Sequence, residues 1–175
     1  LVDVLIYRPS EVSQLAALDS VCHYARTPDS GRWDSCPDFV RDAALRTDLG
    51  PKVRAKAIRH LHRQPGDRTQ RVLLQALASG EPDVVGAVGT VASMWAREGV
   101  SVPSSLAAAL ATYCEVHPKR AFELPGLLKG IAVLAGPGRS RTCADALGKL
   151  WKRAKTTKQR DLLLASAGRW LGTPL

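Results

Sequence analysis

A row of basic side chains recurs at helical spacing in the segment VRAKAIRHLHR, residues 53–63. At about 100° per residue, Lys56, Arg59 and Arg63 fall together on one side of a helix, and the apolar positions fall on the other. Guanidinium groups bind phosphate through paired hydrogen bonds, and lysine supplies a mobile positive charge. The row is therefore a candidate for contacts with a polyanion. The alternative is that it is only the solvated face of an amphipathic helix.

A second basic segment lies near the end of the sequence. Residues 139–160 hold eight basic residues against one acidic residue, and residues 51–71 hold seven against one. The two blocks therefore have net charges of +7 and +6, whereas the whole chain has a net charge of +9. Positive charge is thus concentrated in these two blocks. Localised basic charge is typical of a surface that binds nucleic acid. The candidate phosphate-binding residues of the second block are Arg139, Arg141, Lys149, Lys152, Arg153, Lys155 and Lys158.

No set of side chains has the spacing of a metal site. His60 and His62 flank Leu61 and cannot share a helix face, so we expect each to be a surface histidine. Cys114 and His117 lie one turn apart, but a zinc site would need two further ligands. We therefore expect no metal ion and no cofactor.

The sequence also lacks the motifs of common enzyme classes. It contains no phosphate-binding loop, no dinucleotide-binding glycine pattern and no nucleophile elbow. Asp29, Asp34 and Asp38 lie near serines in a turn-rich segment and are candidates for a divalent-cation or catalytic carboxylate cluster. More often such residues are turn formers and helix caps. Trp33 in the same segment is a candidate for stacking on a base or anchoring a partner. With no convincing carboxylate in either basic block, we expect no enzymatic activity, although a base-processing enzyme remains a third alternative.

Composition predicts an all-α protein. Of the 175 residues, 45% are hydrophobic and only 5% aromatic, and Ala and Leu supply most of the apolar positions. No apolar run approaches the ~20 residues that a membrane helix needs, so we expect a cytoplasmic protein with no membrane contact. The four cysteines are widely spaced, which favours reduced thiols. The absence of an initiating Met is compatible with a fragment of a longer chain.

Hydrophobic periodicity predicts eight helices in four pairs after an N-terminal part at residues 1–37, which carries a capping or linking helix and a loop. Gly and Pro mark most of the breaks in the repeat domain, residues 38–175. The pairs start at a period of roughly 30 to 37 residues, which indicates hairpins that bury their apolar faces by stacking. The predicted helices are 38–48 with 51–63, 67–79 with 82–97, 103–116 with 119–135, and 140–154 with 158–171.

The segment DLGPKVRAKAIRHL, residues 48–61, resembles the second helix of a HEAT repeat. The match consists of Val53, Arg54, Ala57 and Leu61, and a weaker echo follows in GEPDVVGAVGTVASM at 80–94, where Gly86 replaces the arginine. The resemblance implies a right-handed stack of antiparallel helical hairpins. It also implies a structural role for Arg54, paired with an acidic residue or a carbonyl across the stack.

The first residues, LVDVLIYRPSEVSQL at 1–15, resemble the junction that leads into the C-terminal helical-repeat region of some bacterial abortive-infection or defence reverse transcriptases. No polymerase signature is present in the sequence. This similarity implies an accessory region whose catalytic part lies elsewhere, with a role in antiviral defence.

These features predict a non-catalytic helical-repeat scaffold whose two basic helix faces contact the phosphates of DNA or RNA, with little reading of base sequence. The alternative is a protein-interaction scaffold that docks an acidic partner or another domain of its own polypeptide. Whether the two basic blocks share one face is left open by the sequence.

Overall fold

The computed structural model describes residues 10–24 and 36–171, and within them it is all-α, with no strand. Ten helices follow one another, and a short 3₁₀ turn, Leu61–Arg63, extends the third. They are α1 Glu11–Tyr24, α2 Cys36–Leu45, α3 Pro51–His60, α4 Asp67–Ala78, α5 Pro82–Arg97, α6 Ser104–Val116, α7 Pro118–Ala121, α8 Pro125–Leu134, α9 Arg141–Arg153 and α10 Thr157–Leu171.

Contacts between helices follow two series. In one series α2 packs on α4, α4 on α6, and α6 on α9. In the other, α1 packs on α3, α3 on α5, α5 on α8, and α8 on α10. The two series are joined where α2 meets α3, α4 meets α5, and α8 meets both α6 and α9, whereas α9 and α10 scarcely touch each other. Each basic block therefore includes helices of both series, because residues 51–71 cover α3 and the start of α4, and residues 139–160 cover α9 and the start of α10.

The predicted helices agree closely with the observed ones, except for 119–135. That prediction was wrong, because two helices occupy the region: α7 ends at Ala121 and α8 begins at Pro125. Leu124 has φ −116° and ψ 81°, outside the helical region, as expected for a residue that precedes proline. The break leaves Phe122 and its neighbours in a turn between the two helices.

The closest packing in the core lies between α5 and α8. A Cβ added at Gly89 would lie 2.5 Å from the Cα of Leu127, and one added at Gly130 would lie 2.5 Å from the carbonyl oxygen of Gly89. The Gly86 carbonyl would similarly obstruct a side chain at Gly126. Gly89, Gly126 and Gly130 thus let the two helix backbones touch, whereas a Cβ at Gly86 would meet nothing within 4 Å.

Helix α1 shares this core. Ala17 and Leu18 are buried in the same apolar cluster as the residues of α3 and α5. The Ser10 hydroxyl caps the start of this helix, since the Ser13 backbone amide donates to it at 3.4 Å. The division of the chain at residue 37 stays a prediction. Within the described part of the chain, no helix has the length and apolar character needed to cross a membrane.

Candidate nucleic-acid interface

The basic row on α3 faces α1 and is partly neutralised by it. Lys56 donates a hydrogen bond to the carboxylate of Asp19, and His60 Nε2 lies 3.5 Å from the same carboxylate. The hydrogen bond from Lys56 holds the pKa of Asp19 below its ordinary value of 3.8. One turn earlier, Lys52 pairs with Glu11 of α1 at 3.3 Å. These contacts make Lys56 part of the α1–α3 interface.

The predicted row does not continue to Arg63 as one helical stripe. Helix α3 ends at His60, and the 3₁₀ turn that follows has about three residues per turn, so the angular spacing changes. The Arg63 Nε donates to the Nε2 of His62 at 3.3 Å. Arg59 is exposed and lines a groove of about 540 Å³ between α1, α3 and α5, with Asp83 on another wall. The first block therefore offers Arg59 and Arg63 rather than a continuous row.

Arg54 has the structural contact that the HEAT resemblance implied. Its side chain is buried and donates to the carboxylate of Glu81, which lies just before the first residue of α5. The pair ties α3 to the following helical pair. Arg54 therefore contributes a helix–helix contact rather than a ligand contact.

In the second block, several cations bind the ends of neighbouring helices. Lys149 pairs with the Glu115 carboxylate of α6 at 2.8 Å, and Arg153 donates to the Glu115 carbonyl at 3.2 Å. Arg139 donates to the Val133 carbonyl in the last turn of α8 at 3.4 Å. Cations are favourable at helix C-termini, where carbonyls carry partial negative charge. The contact with α8 gives Arg139 a structural role.

Two further cations of the second block, Lys155 and Lys158, line a groove of about 630 Å³ between α7 and the α9–α10 connection. We call this the α7–α10 groove. Its basic residues are Lys119, Arg153, Lys155 and Lys158, and its acidic residue is Glu123. The apolar part of its wall is formed by Pro118, Phe122 and Leu162. An excess of cations beside an apolar wall is suited to an anionic ligand with apolar parts.

Lys119 and Phe122 were not among the residues selected from the sequence. Lys119 lies outside the basic block at 139–160, and Phe122 was placed inside a continuous helix. The signal that could have identified them is Pro125, because a helix broken before this residue turns the 118–123 segment toward the C-terminal block. The groove thus depends on the one helix that the periodicity misassigned.

The α9–α10 connection is fixed by a capping box. The Thr156 hydroxyl accepts from the backbone N–H of Gln159 at 3.2 Å. The side-chain oxygen of Gln159 accepts from the backbone N–H groups of Thr156 and Lys155 at 3.3 and 2.9 Å. This reciprocal pattern satisfies backbone donors at the start of α10. Lys155 and Lys158 are therefore attached to an ordered rim of the groove.

Two other predicted residues, Arg141 and Lys152, lie outside this groove. Both are exposed, and within the described residues neither side chain makes a hydrogen bond or ion pair. At 100° per residue, Lys152 lies opposite the buried edge of α9. The structure thus gathers Arg153, Lys155 and Lys158 together and leaves the other candidates dispersed.

Within residues 10–22 and 38–167, whose side chains are described, no group of three or more potential metal ligands occurs. Burial raises the pKa of Cys114 to about 12, and burial also raises that of Cys143. Both thiols lie in the core. The residues Asp29, Asp34 and Trp33, named as candidates from the sequence, lie outside the described residues.

The chain matches no protein-family model, no curated protein and no solved structure. Its function must therefore be argued from its own residues.

Proposed function

We infer that this chain is a non-catalytic, HEAT-like helical-repeat scaffold that contacts nucleic-acid phosphates, of DNA or RNA, through its C-terminal basic block. The repeat architecture is supported by the two series of helix contacts and by the Arg54–Glu81 pair. The observation that carries the ligand assignment is the α7–α10 groove, where four cations surround one acid. Phosphate contacts of this kind supply affinity without reading sequence.

The first basic block has a smaller part in this proposal than the sequence suggested. Lys56 is bound to Asp19, and Lys52 is bound to Glu11. A phosphate would have to displace these carboxylates before it could bind either lysine. Arg59 and Arg63 remain candidates for secondary contacts.

The direct test is binding of a labelled mixed-sequence strand and of its duplex across a salt series. We expect Lys155→Gln combined with Lys158→Gln to weaken binding and flatten the salt dependence. Arg71→Gln combined with Arg97→Gln is the matched control, because it removes the same charge from exposed positions on α4 and α5. Absence of binding at low salt by the unmodified protein would contradict the proposal.

A second candidate function, a protein-interaction scaffold, is favoured by the apolar flank of α9. Lys149 and Arg153 face α6, and by helical geometry Ala144, Gly148 and Trp151 lie on the other flank. The Trp151 residue is 43% exposed, and Leu164 on α10 is 51% exposed. Exposed apolar surface of this kind is typical of protein interfaces.

Under this alternative the basic surface, with the apolar flank beside it, docks an acidic partner or the catalytic part of a larger, reverse-transcriptase-type defence protein. Competition separates the two functions. If an acidic polypeptide binds the chain and an excess of generic duplex does not displace it, the protein-interaction function is favoured. Displacement by duplex would favour a shared phosphate-binding surface.

A further inference from the structure

We propose that the α7–α10 groove binds unpaired nucleotides, so that the preferred ligand is single-stranded nucleic acid rather than a duplex. This rests on the proposed function, because it names the substrate class of the same groove.

Apolar side chains form part of the groove wall. Phe122 and Leu162 line it and are also packed against the core, so they cannot fold away into solvent. A duplex presents phosphates and keeps its bases stacked inside, and it would gain nothing from an apolar wall. An unpaired base has a free face that stacks on aromatic rings, and such stacking does not depend on base identity.

The cations are arranged to hold the backbone of such a strand. Lys119 comes from α7, Arg153 from the end of α9, and Lys158 from the first turn of α10, so positive charge comes from three helices around the groove. The side chains of Lys119, Lys155 and Lys158 make no hydrogen bond or ion pair within the described part of the chain. Arg153 is held by the Glu115 carbonyl, which fixes the position of its guanidinium.

The groove also has groups that can bond to a base edge without charge. Thr156 and Gln159 line it beside the cations. In the capping box both side-chain oxygens accept backbone N–H groups, which leaves the Thr156 hydroxyl hydrogen and the Gln159 side-chain NH₂ group as donors. A volume of about 630 Å³ is large enough to hold individual nucleotides.

The test uses the full chain and three labelled probes of equal length: an oligothymidylate strand, the same strand with abasic sites throughout, and a duplex. We expect the base-containing strand to bind about fivefold or more tightly than the abasic strand, since stacking is lost without bases. Phe122→Leu should remove this difference and leave abasic binding unchanged. Phe122→Tyr should retain it, because an aromatic ring remains.

Phe39→Leu is the matched control. Phe39 is the other phenylalanine of the chain and is also partly buried against the core, but it lies on α2. Thermal unfolding of each variant checks that the fold is retained. If Phe122→Leu unfolds, Phe122→Tyr still tests whether an aromatic ring at this position preserves the preference for the base-containing strand.

Equal affinities for the strand, the abasic strand and the duplex would overturn the single-strand preference while leaving phosphate binding in place. Polyglutamate competing as well as the strand would also overturn it, because the groove would then accept any acidic polymer. Failure of all three probes to bind at low salt would overturn the proposed function as well.

Discussion

The backbones of Gly89 in α5 and Gly130 in α8 are in direct contact, so that a Cβ on Gly130 would lie 2.5 Å from the Gly89 carbonyl oxygen. Because this obstruction is backbone, a methyl group there can be accommodated only by separating the two helices. The contact joins the two most extensively packed helices of the core. It therefore fixes the distance between α5 and α8, and α8 is the helix on which α10 of the groove packs.

We expect Gly130→Ala to lower the free energy of unfolding by about 1–3 kcal/mol, as overpacking in a core does. Gly148→Ala is the control, because nothing lies within 4 Å of a Cβ there and the residue is exposed on α9. That change should raise stability by about 0.5–1 kcal/mol through helix propensity. Urea denaturation of both variants measures the difference, and equal effects at the two positions would contradict the close approach.

The Asp19 carboxylate predicts how α1 responds to pH. Its pKa is lowered chiefly by the hydrogen bond from Lys56, so its contribution to stability is present above the ordinary value of 3.8. The contribution is lost as pH falls through the lower folded value. Because Asp19 is mostly exposed, we expect only a few tenths of a kcal/mol.

Asp19→Asn should remove that part of the pH dependence and speed amide hydrogen exchange in α1 at neutral pH. Asp42→Asn, an exposed acid on α2, is the control. Unchanged exchange in α1 after the Asp19 substitution would show that the Lys56–Asp19 pair contributes nothing to holding the helix.

The buried guanidinium of Arg54 predicts a larger effect at Glu81. Glu81→Gln removes the charge that compensates Arg54, whose side chain is only 5% exposed. We expect a loss of about 1–3 kcal/mol in unfolding free energy, less than for a fully buried pair because Glu81 is partly exposed. Glu98→Gln, an exposed acid beyond the end of α5, should change stability by under about 0.5 kcal/mol. Thermal unfolding of the two variants provides the comparison.

The thiols provide a prediction about reactivity. Since burial raises the pKa values of Cys114 and Cys143, we expect both to resist alkylation at neutral pH in the folded protein. Both should react once denaturant unfolds the chain. Mass spectrometry of the labelled peptides distinguishes these sites, and rapid labelling of Cys114 in the native state would contradict its placement in the core.

Sequence periodicity predicted most of the helices because their breaks carry strong signals. Pro51 and Pro82 each occupy a first helical position, and Gly80 has a positive φ of 68° at the turn before α5. Apolar spacing alone could not locate the break before Pro125, because the apolar pattern continues across it. A proline inside an otherwise regular apolar pattern is the stronger signal, because it lacks the backbone N–H that would continue the helix.

Side-chain pairing across helices was less predictable than the helices. The pattern of Asp67 and Gln70 resembles a capping box, but Gly66 is the N-cap of α4 and Gln70 donates to Ser105 of α6 at 2.7 Å. Likewise, nothing local indicates that Asp19 would meet Lys56. Such contacts depend on which helices become neighbours, and the sequence alone places charges on faces without showing what covers them.

The difference between lysines that are paired with a carboxylate and lysines that are not gives the most direct prediction about ligand binding. Lys155 has no side-chain partner within the described residues, whereas Lys56 is bound to Asp19. Each phosphate contact with a single strand contributes about 0.7 to the slope of log affinity against log salt. We therefore expect Lys155→Gln to reduce the slope by about 0.7 and Lys56→Gln to leave it nearly unchanged. Both substitutions remove one positive charge, so a general effect of net charge would act on them equally. If Lys56→Gln reduced the slope as much as Lys155→Gln, a phosphate must displace Asp19 from Lys56. Helix α3 would then be part of the binding surface.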